Sequence, residues 1–93
     1  MKVTHHNTDK NGWFKAMDGD NEAGEMTYTW AGNTKFIVDH TEVNPDYKGQ
    51  GIGKLLFEKM VDFARQENYK VIPLCPFAKA MFDKTPENKD VRA

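Results

Sequence analysis

This sequence has little of what would place it in several large classes of protein. It holds one cysteine among 93 residues, so no internal disulfide can staple it. With nothing at its start that reads as a signal peptide, the expected setting is a reducing cytoplasm. It has no long apolar run, which removes a membrane-spanning reading. It has no excess of charge of either sign: 13 Lys plus Arg stand against 14 Asp plus Glu. No global basic field is therefore on offer to nucleic acid or an anionic membrane, and any anionic ligand must be held locally. Repeats, linkers and low-complexity segments are missing, and the length suits one domain, 1–93, that buries roughly 60–65% of its unfolded surface. Metal ligands are scarce too. His5 and His6 are neighbours with no further ligand nearby, which reads as the surface of a first strand and not as a metal site.

What is present is a clear order of elements. Asn11–Gly12 and Asp18–Gly19–Asp20–Asn21 are turn signals around Trp13 to Met17, a short strand expected to pair back toward residues 2–7. Met26, Tyr28 and Trp30 alternate with Glu25, Thr27 and Thr29, as in a half-buried strand with its aromatic face inward. After a turn at Gly32–Asn33, Lys35 to Val43 reads as a strand covered on two sides. Strict alternation puts Phe36, Val38 and His40 on one face and Ile37, Asp39, Thr41 and Val43 on the other. From Gly51 the period changes: Ile52, Leu55, Leu56, Met60, Phe63 and Ala64 form one apolar stripe of a helix over 51–67. Val71 to Leu74 is too short for a helix, so it completes strand–helix–strand and predicts a parallel partner for 35–43, loosened at Pro73. Pro76 to about Lys84 predicts a second helix with Phe77, Ala78, Met81 and Phe82 inward. The polar tail after Pro86 is expected to fray or pack loosely. The fold class is α/β (α+β), a mostly antiparallel sheet of about five strands with one parallel strand–helix–strand unit and two helices.

The most informative run is Val43 to Lys54, which joins a strand to an amphipathic helix through Gly49, Gly51 and Gly53. Glycines let the backbone turn sharply and approach a bulky group, and a helix start aims free amides at an anion. The spacing is neither that of the Walker loop, because Lys54 is followed by Leu55, nor that of the dinucleotide fingerprint, which needs Gly-x-Gly-x-x-Gly. Two readings stay open for the run alone, a pyrophosphate clamp and a plain turn. Lys48 and Lys54 flank it and can pair with phosphate, or simply be solvated.

In a parallel strand pair, ligands bind beyond the carboxyl ends, here Val43 and Cys75. Pro76 suits the first position of a helix and leaves Cys75 as its N-cap, where free amides favour a thiolate. Cys75 reads either as a nucleophile or acyl acceptor, or as a small buried hydrophobe. His40 reads either as a proton acceptor for a thiol or amine, or as a core histidine bonded to backbone. Asp39 falls on the opposite face and makes no dyad with His40 unless a bulge rotates one of them.

Lys48-Gly49-Gln50-Gly51-Ile52-Gly53 resembles the acetyl-CoA motif of the GNAT N-acetyltransferases, Arg/Gln-x-x-Gly-x-Gly/Ala, with Lys in place of Arg or Gln. Together with Asp39-His40-Thr41, Val43, the preceding Tyr47, Cys75-Pro76-Phe77-Ala78 and Asp90-Val91, it makes Lys35 to Val91 similar to the short, single-domain YjdJ-type branch of that superfamily. The resemblance implies a sheet splayed between the strands ending at Val43 and Cys75. It implies a pantetheine arm in the gap, bonded to backbone at Thr41, Glu42 and Val43. It also implies a pyrophosphate held by amides of Gly49, Gln50, Gly51, Ile52, Gly53 and Lys54. Larger members carry Asn and Tyr where this chain has Cys75 and Phe82, and that Tyr protonates the departing thiolate. A phenyl ring at Phe82 can contact the cofactor but has no proton to give. An acetyl-cysteine at Cys75 is the route this departure implies.

The function expected is therefore an acetyl-CoA-dependent acyltransferase acting on an unidentified amine or other small nucleophile, with Cys75 and His40 as catalytic candidates. Acetyl-CoA is the cosubstrate, and neither a metal, a nucleic acid nor a membrane is expected as a partner. The alternative is a module that holds acetyl-CoA or CoA without turnover.

Overall fold

The computed structural model describes residues 1–93. Five strands form one sheet in sequence order: β1 (Lys2–Asn7), β2 (Asn11–Asp18), β3 (Asn21–Trp30), β4 (Lys35–Val43) and β5 (Lys70–Pro73). The first four are antiparallel neighbours, as short turns require, and β5 is parallel to β4, as a helical crossover requires. The crossover is α1 (Ile52–Glu67), and α2 (Pro76–Lys84) follows β5. No helix is long and apolar enough to cross a membrane.

Both helices lie on one face of the sheet, over a single core that includes Phe14, Met26, Tyr28, Phe36, Val38, Leu56, Phe57, Met60, Val71 and Phe82. The expected stripe of α1 is present but wider. Phe57 and Val61 are buried beside Leu56 and Met60 because α1 meets α2 as well as the sheet, and the Phe57 ring stands edge-on to Phe82 at 4.9 Å. The helix stops at Asn68, whose φ of 60° is left-handed and whose amide donates to Ala64. The aromatic face of β3 points inward as expected. Tyr28 is fully buried, its hydroxyl donating to Asn7 Oδ1 at 3.0 Å and lying 2.7 Å from His5 Nε2. Burial pushes that phenol up to about 12. His5 and His6 part company: His5 stacks on Phe14 at 4.1 Å, and His6 on Trp13 on the other face.

Asn11 and Gly12, expected to form a turn, instead open β2, with Gly12 paired to Asn7 and Tyr28, and the chain turns at Thr8 to Lys10. Three further expectations are corrected. The alternation of β4 breaks at Asp39, where His40 pairs with Thr27 but Val38 pairs with Tyr28, leaving Asp39 as the extra residue of a β-bulge. Before the bulge, Phe36 and Val38 face the core. After it Thr41 turns inward, level with buried Met26, while His40 and Glu42 turn outward. Second, β4 is not covered on both faces, since Ile37 shares an outer face with Thr29 and no helix lies over it. Third, the tail neither frays nor packs loosely. Pro86–Val91 forms a 3₁₀ turn, Val91 is buried, Arg92 bridges to Val71, and Asp90 receives two hydrogen bonds of 2.9 Å from Arg65.

Candidate functional site

The site is built where β4 outruns β5. Their pairing runs from Lys35–Lys70 to Val38–Pro73 and stops, because Pro73 ends the ladder; the last link is the Cys75 amide donating to Val38 oxygen at 2.9 Å. Beyond it β4 continues to Val43 with no strand on that side. The two chains diverge around Thr41 and Cys75, whose Sγ lies 3.4 Å from Thr41 Oγ1. Cys75 is the N-cap of α2, no side chain caps that first turn, and the residue is only 4% exposed.

After Val43 the chain enters a 3₁₀ turn, Pro45–Tyr47. Asn44 sets it up three ways. Its Oδ1 accepts from the Asp46 amide at 3.0 Å, its Nδ2 donates to Glu22 oxygen at 3.2 Å, and its own amide donates to Ala23 oxygen at 2.8 Å. The Gln50 amide then donates to Tyr47 oxygen at 3.3 Å, so Gln50 does not offer a free donor as expected. Gly49 and Gly51 have φ of +84° and +73°, left-handed conformations that an L side chain resists, and open space where a Cβ would stand. The first amide of α1 to find a backbone partner is that of Leu55, on Gly51 oxygen at 3.0 Å. The amides of Gly49, Gly51, Ile52, Gly53 and Lys54 donate to no protein group, and no acidic side chain occupies the first turn. Such a cluster of donors at a helix start binds an anion without needing a basic side chain.

Gly53 has a different task. A Cβ there would come within 2.7 Å of the Phe77 ring, so its hydrogen lets α1 and α2 meet, and it is not facing open solvent as Gly49 and Gly51 are. Ile52 is likewise buried. Lys48 is exposed, and Lys54 reaches Glu58 on the surface at 4.0 Å.

The other expected residues are dispersed. His40 is exposed on the outer face, its Nε2 3.7 Å from Glu42, while Cys75 is in the core; the structure does not bring the two together. The bulge turns His40 to the outer side where Asp39 already lies, but the Asp39 carboxylate accepts from the Thr29 hydroxyl at 2.7 Å and not from His40. Phe82 is buried against Phe57, with the Arg92 guanidinium 5.7 Å above its ring. Sequence reading passed over Asn44, Tyr47 and Phe77 as individual site builders. Asn before Pro was a cap signal in plain view, whereas the partners of Tyr47 and Phe77 are distant in sequence.

The family model of GCN5-related N-acetyl-transferases matches residues 13–91. Among curated proteins, Protein NATD1 of Gallus gallus is 27% identical over 70 residues, covering 75% of this chain and 64% of its own length. The human NATD1 is also 27% identical, with 62% of its length covered. The chain thus spans somewhat less than two thirds of these relatives. Among solved structures, a GCN5-like protein of Staphylococcus aureus superposes with a TM-score of 0.77 at 33% identity, over 99% of this chain and 87% of that one. The aminoglycoside N-acetyltransferase AAC(6')-Iy, solved in complex with CoA, shares the fold at a TM-score of 0.62 and 10% identity, over 94% and 89% of the two chains. With a matched span that takes in the glycine loop, both helices and the β4–β5 divergence, the chain belongs to the GCN5-related N-acetyltransferase family.

Proposed function

We propose that this chain binds acetyl-CoA across the β4–β5 divergence and transfers its acetyl group to an amine or another small nucleophile. The observation that carries the reading is the set of five unpartnered amides, Gly49, Gly51, Ile52, Gly53 and Lys54, at the start of α1. They suit a pyrophosphate, with Lys48 and Lys54 as flexible counter-charges at the rim. The edge of β4 that has no strand beside it from Thr41 through Glu42 to Val43 suits the amides of a pantetheine arm, which extend it as a strand would. A polar cleft lined by Glu22, Glu42 and Asn44 lies beside the 3₁₀ turn; Glu22 is paired with Lys15 at 3.3 Å, so Glu42 is the carboxylate it offers to a cationic amine.

The acyl carrier in this reading is Cys75. Its Sγ bonds to the acetyl carbon, the carbon–sulfur bond to CoA breaks, and the thiol proton passes to the departing sulfur. A thiol and a thioester become a new thioester and free CoA. The acceptor amine then attacks acetyl-Cys75, and the thiol is restored. His40 takes no part as a base, because it faces the other side of the sheet.

A second reading, a module that holds CoA without turnover, is favoured by the burial of Cys75 and by the lack of a titratable hydroxyl at Phe82. Intact-protein mass spectrometry after incubation with acetyl-CoA separates the two. An acetyl mass that survives denaturation in the wild type and is lost in Cys75→Ala assigns the carrier. An adduct seen only under native conditions supports direct attack or pure binding. No adduct in either condition removes the acetyl-CoA reading.

A further inference from the structure

The glycine loop is open on its outer side. Upstream, Asn44 sets up the 3₁₀ turn, and Tyr47 ties the end of that turn to the β2–β3 hairpin. Tyr47 closes the 3₁₀ turn two residues before Gly49. Its ring packs against the core, and its hydroxyl donates to Asp18 Oδ2 at 2.8 Å, a residue 29 positions away at the β2–β3 turn. Asp18 ends β2 and Asn21 begins β3, so the acceptor stands on the tip of a hairpin that the sheet holds still. Downstream the loop is fixed by buried Ile52 and by the Gly53–Phe77 contact. Between these two anchors Lys48, Gly49, Gln50 and Gly51 are exposed, and the side chains of Lys48 and Gln50 make no hydrogen bond. The bond from the Gln50 amide to Tyr47 oxygen, at 3.3 Å, passes the position of Tyr47 directly into the loop.

We propose that Tyr47 and Asp18 form a latch that positions the glycine loop, holding the Gly49 and Gly51 amides in the orientation an anionic ligand needs. Both are positioning residues, acting through the backbone they hold. Glycine-rich backbone is entropically costly to order, so an anchor at the entry to the loop lowers the ordering still required on binding. The acidity of the phenol agrees with this geometry. The Asp18 hydrogen bond, with burial and the Asp18 charge, raises the Tyr47 pKa above its ordinary value, so the hydroxyl stays a donor throughout the physiological range.

The latch rests on the reading of the loop as a pyrophosphate site for its benefit to binding, but its effect on the loop is measurable without ligand. The experiment compares wild type, Tyr47→Phe, Asp18→Ala and Asp18→Asn in two ways: amide ¹⁵N relaxation of the free chain, and calorimetric titration with coenzyme A. Tyr47→Phe and Asp18→Ala are expected to increase motion at the Gly49 and Gly51 amides and to weaken coenzyme A binding by about two- to tenfold, the worth of one hydrogen bond. Asp18→Asn keeps an acceptor oxygen and is expected to restore most of both, which a loss of general stability would not do. Asp18→Ala leaves the Tyr47 ring packing untouched and so isolates the bond. Loop amides and affinities indistinguishable from wild type in both variants overturn the latch. If wild type takes up no coenzyme A, the pyrophosphate reading falls, and the relaxation comparison alone decides the latch.

Discussion

Gly51 and Gly53 are two residues apart and glycine for unrelated reasons, which a substitution series can separate. At Gly51 the demand is conformational: φ is +73° and nothing lies within 4 Å of where a Cβ would stand. Gly51→Ala is therefore expected to cost roughly 1–2 kcal/mol through the left-handed backbone alone, measured by urea unfolding, and to weaken coenzyme A binding. At Gly53 the demand is spatial, with the tip of the Phe77 ring 2.7 Å from the Cβ position. That ring is half-buried and can yield a little, and alanine prefers a helix over glycine by about 1 kcal/mol, so Gly53→Ala is expected to be close to neutral. Gly53→Val cannot be absorbed that way. It is expected to lose about 1–3 kcal/mol by overpacking, and Phe77→Leu should recover part of the loss.

Among the elements, β4 and β1 matter most. The bulge at Asp39 is what allows one strand to serve two ends of the domain, with Phe36 and Val38 in the core at one end and Thr41 beside Cys75 at the other. Without it, His40 would point inward and Thr41 outward, since a one-residue slip exchanges the faces. At the sheet edge, β1 is fixed by His5, whose ring lies between Phe14 and Phe63 and bonds Tyr28. Burial, then the nearby His6, lowers the His5 pKa below 6.5. The sign follows from that direction. The folded state favours the neutral ring, so the contribution is whole above the unfolded value of 6.5 and is lost as pH falls through it toward the lower folded value. Thermal melts of His5→Gln are expected to fall less steeply than wild type between neutral and mildly acidic pH; equal slopes would falsify the assignment.

On the scale of the whole molecule, the C-terminal turn closes the domain. Arg65 on α1 holds Asp90 with two bonds of 2.9 Å and Asn88 with one of 3.1 Å, and Lys70 on β5 donates to the Asp90 carbonyl. The Arg65 hydrogen bond holds the Asp90 carboxyl below its ordinary range. Its stabilisation is thus present above the unfolded pKa of 3.8 and lost as pH falls toward the folded one. Asp90→Asn is expected to lower Tm at pH 7 and to approach wild type near pH 3. Val91 beneath the clamp is 3% exposed, and Val91→Ala should cost on the order of 1–2.5 kcal/mol, read from urea unfolding.

Much of the fold was legible because period and punctuation act over a few residues. The stripe from Ile52 to Ala64, the turns at Gly19 and Gly32 and the proline at the start of α2 were enough for strands, helices and their order, and for free amides at the start of α1. The wider stripe through Phe57 and Val61 was not, because it depends on where α2 lands. Nor was the ordered tail, whose Asp90 and Arg65 are 25 residues apart. The candidate site divides in the same way. The run of glycines is a local statement about backbone freedom, and the single Cys-Pro step about a helix cap; both can be read without a fold. Only the tertiary structure decided that Cys75 meets Thr41 and not His40, that Gly53 serves packing, and that Tyr47 reaches Asp18. Each depends on a register, a bulge or a contact between segments distant in the chain, and such distances are settled by the packing of the whole core.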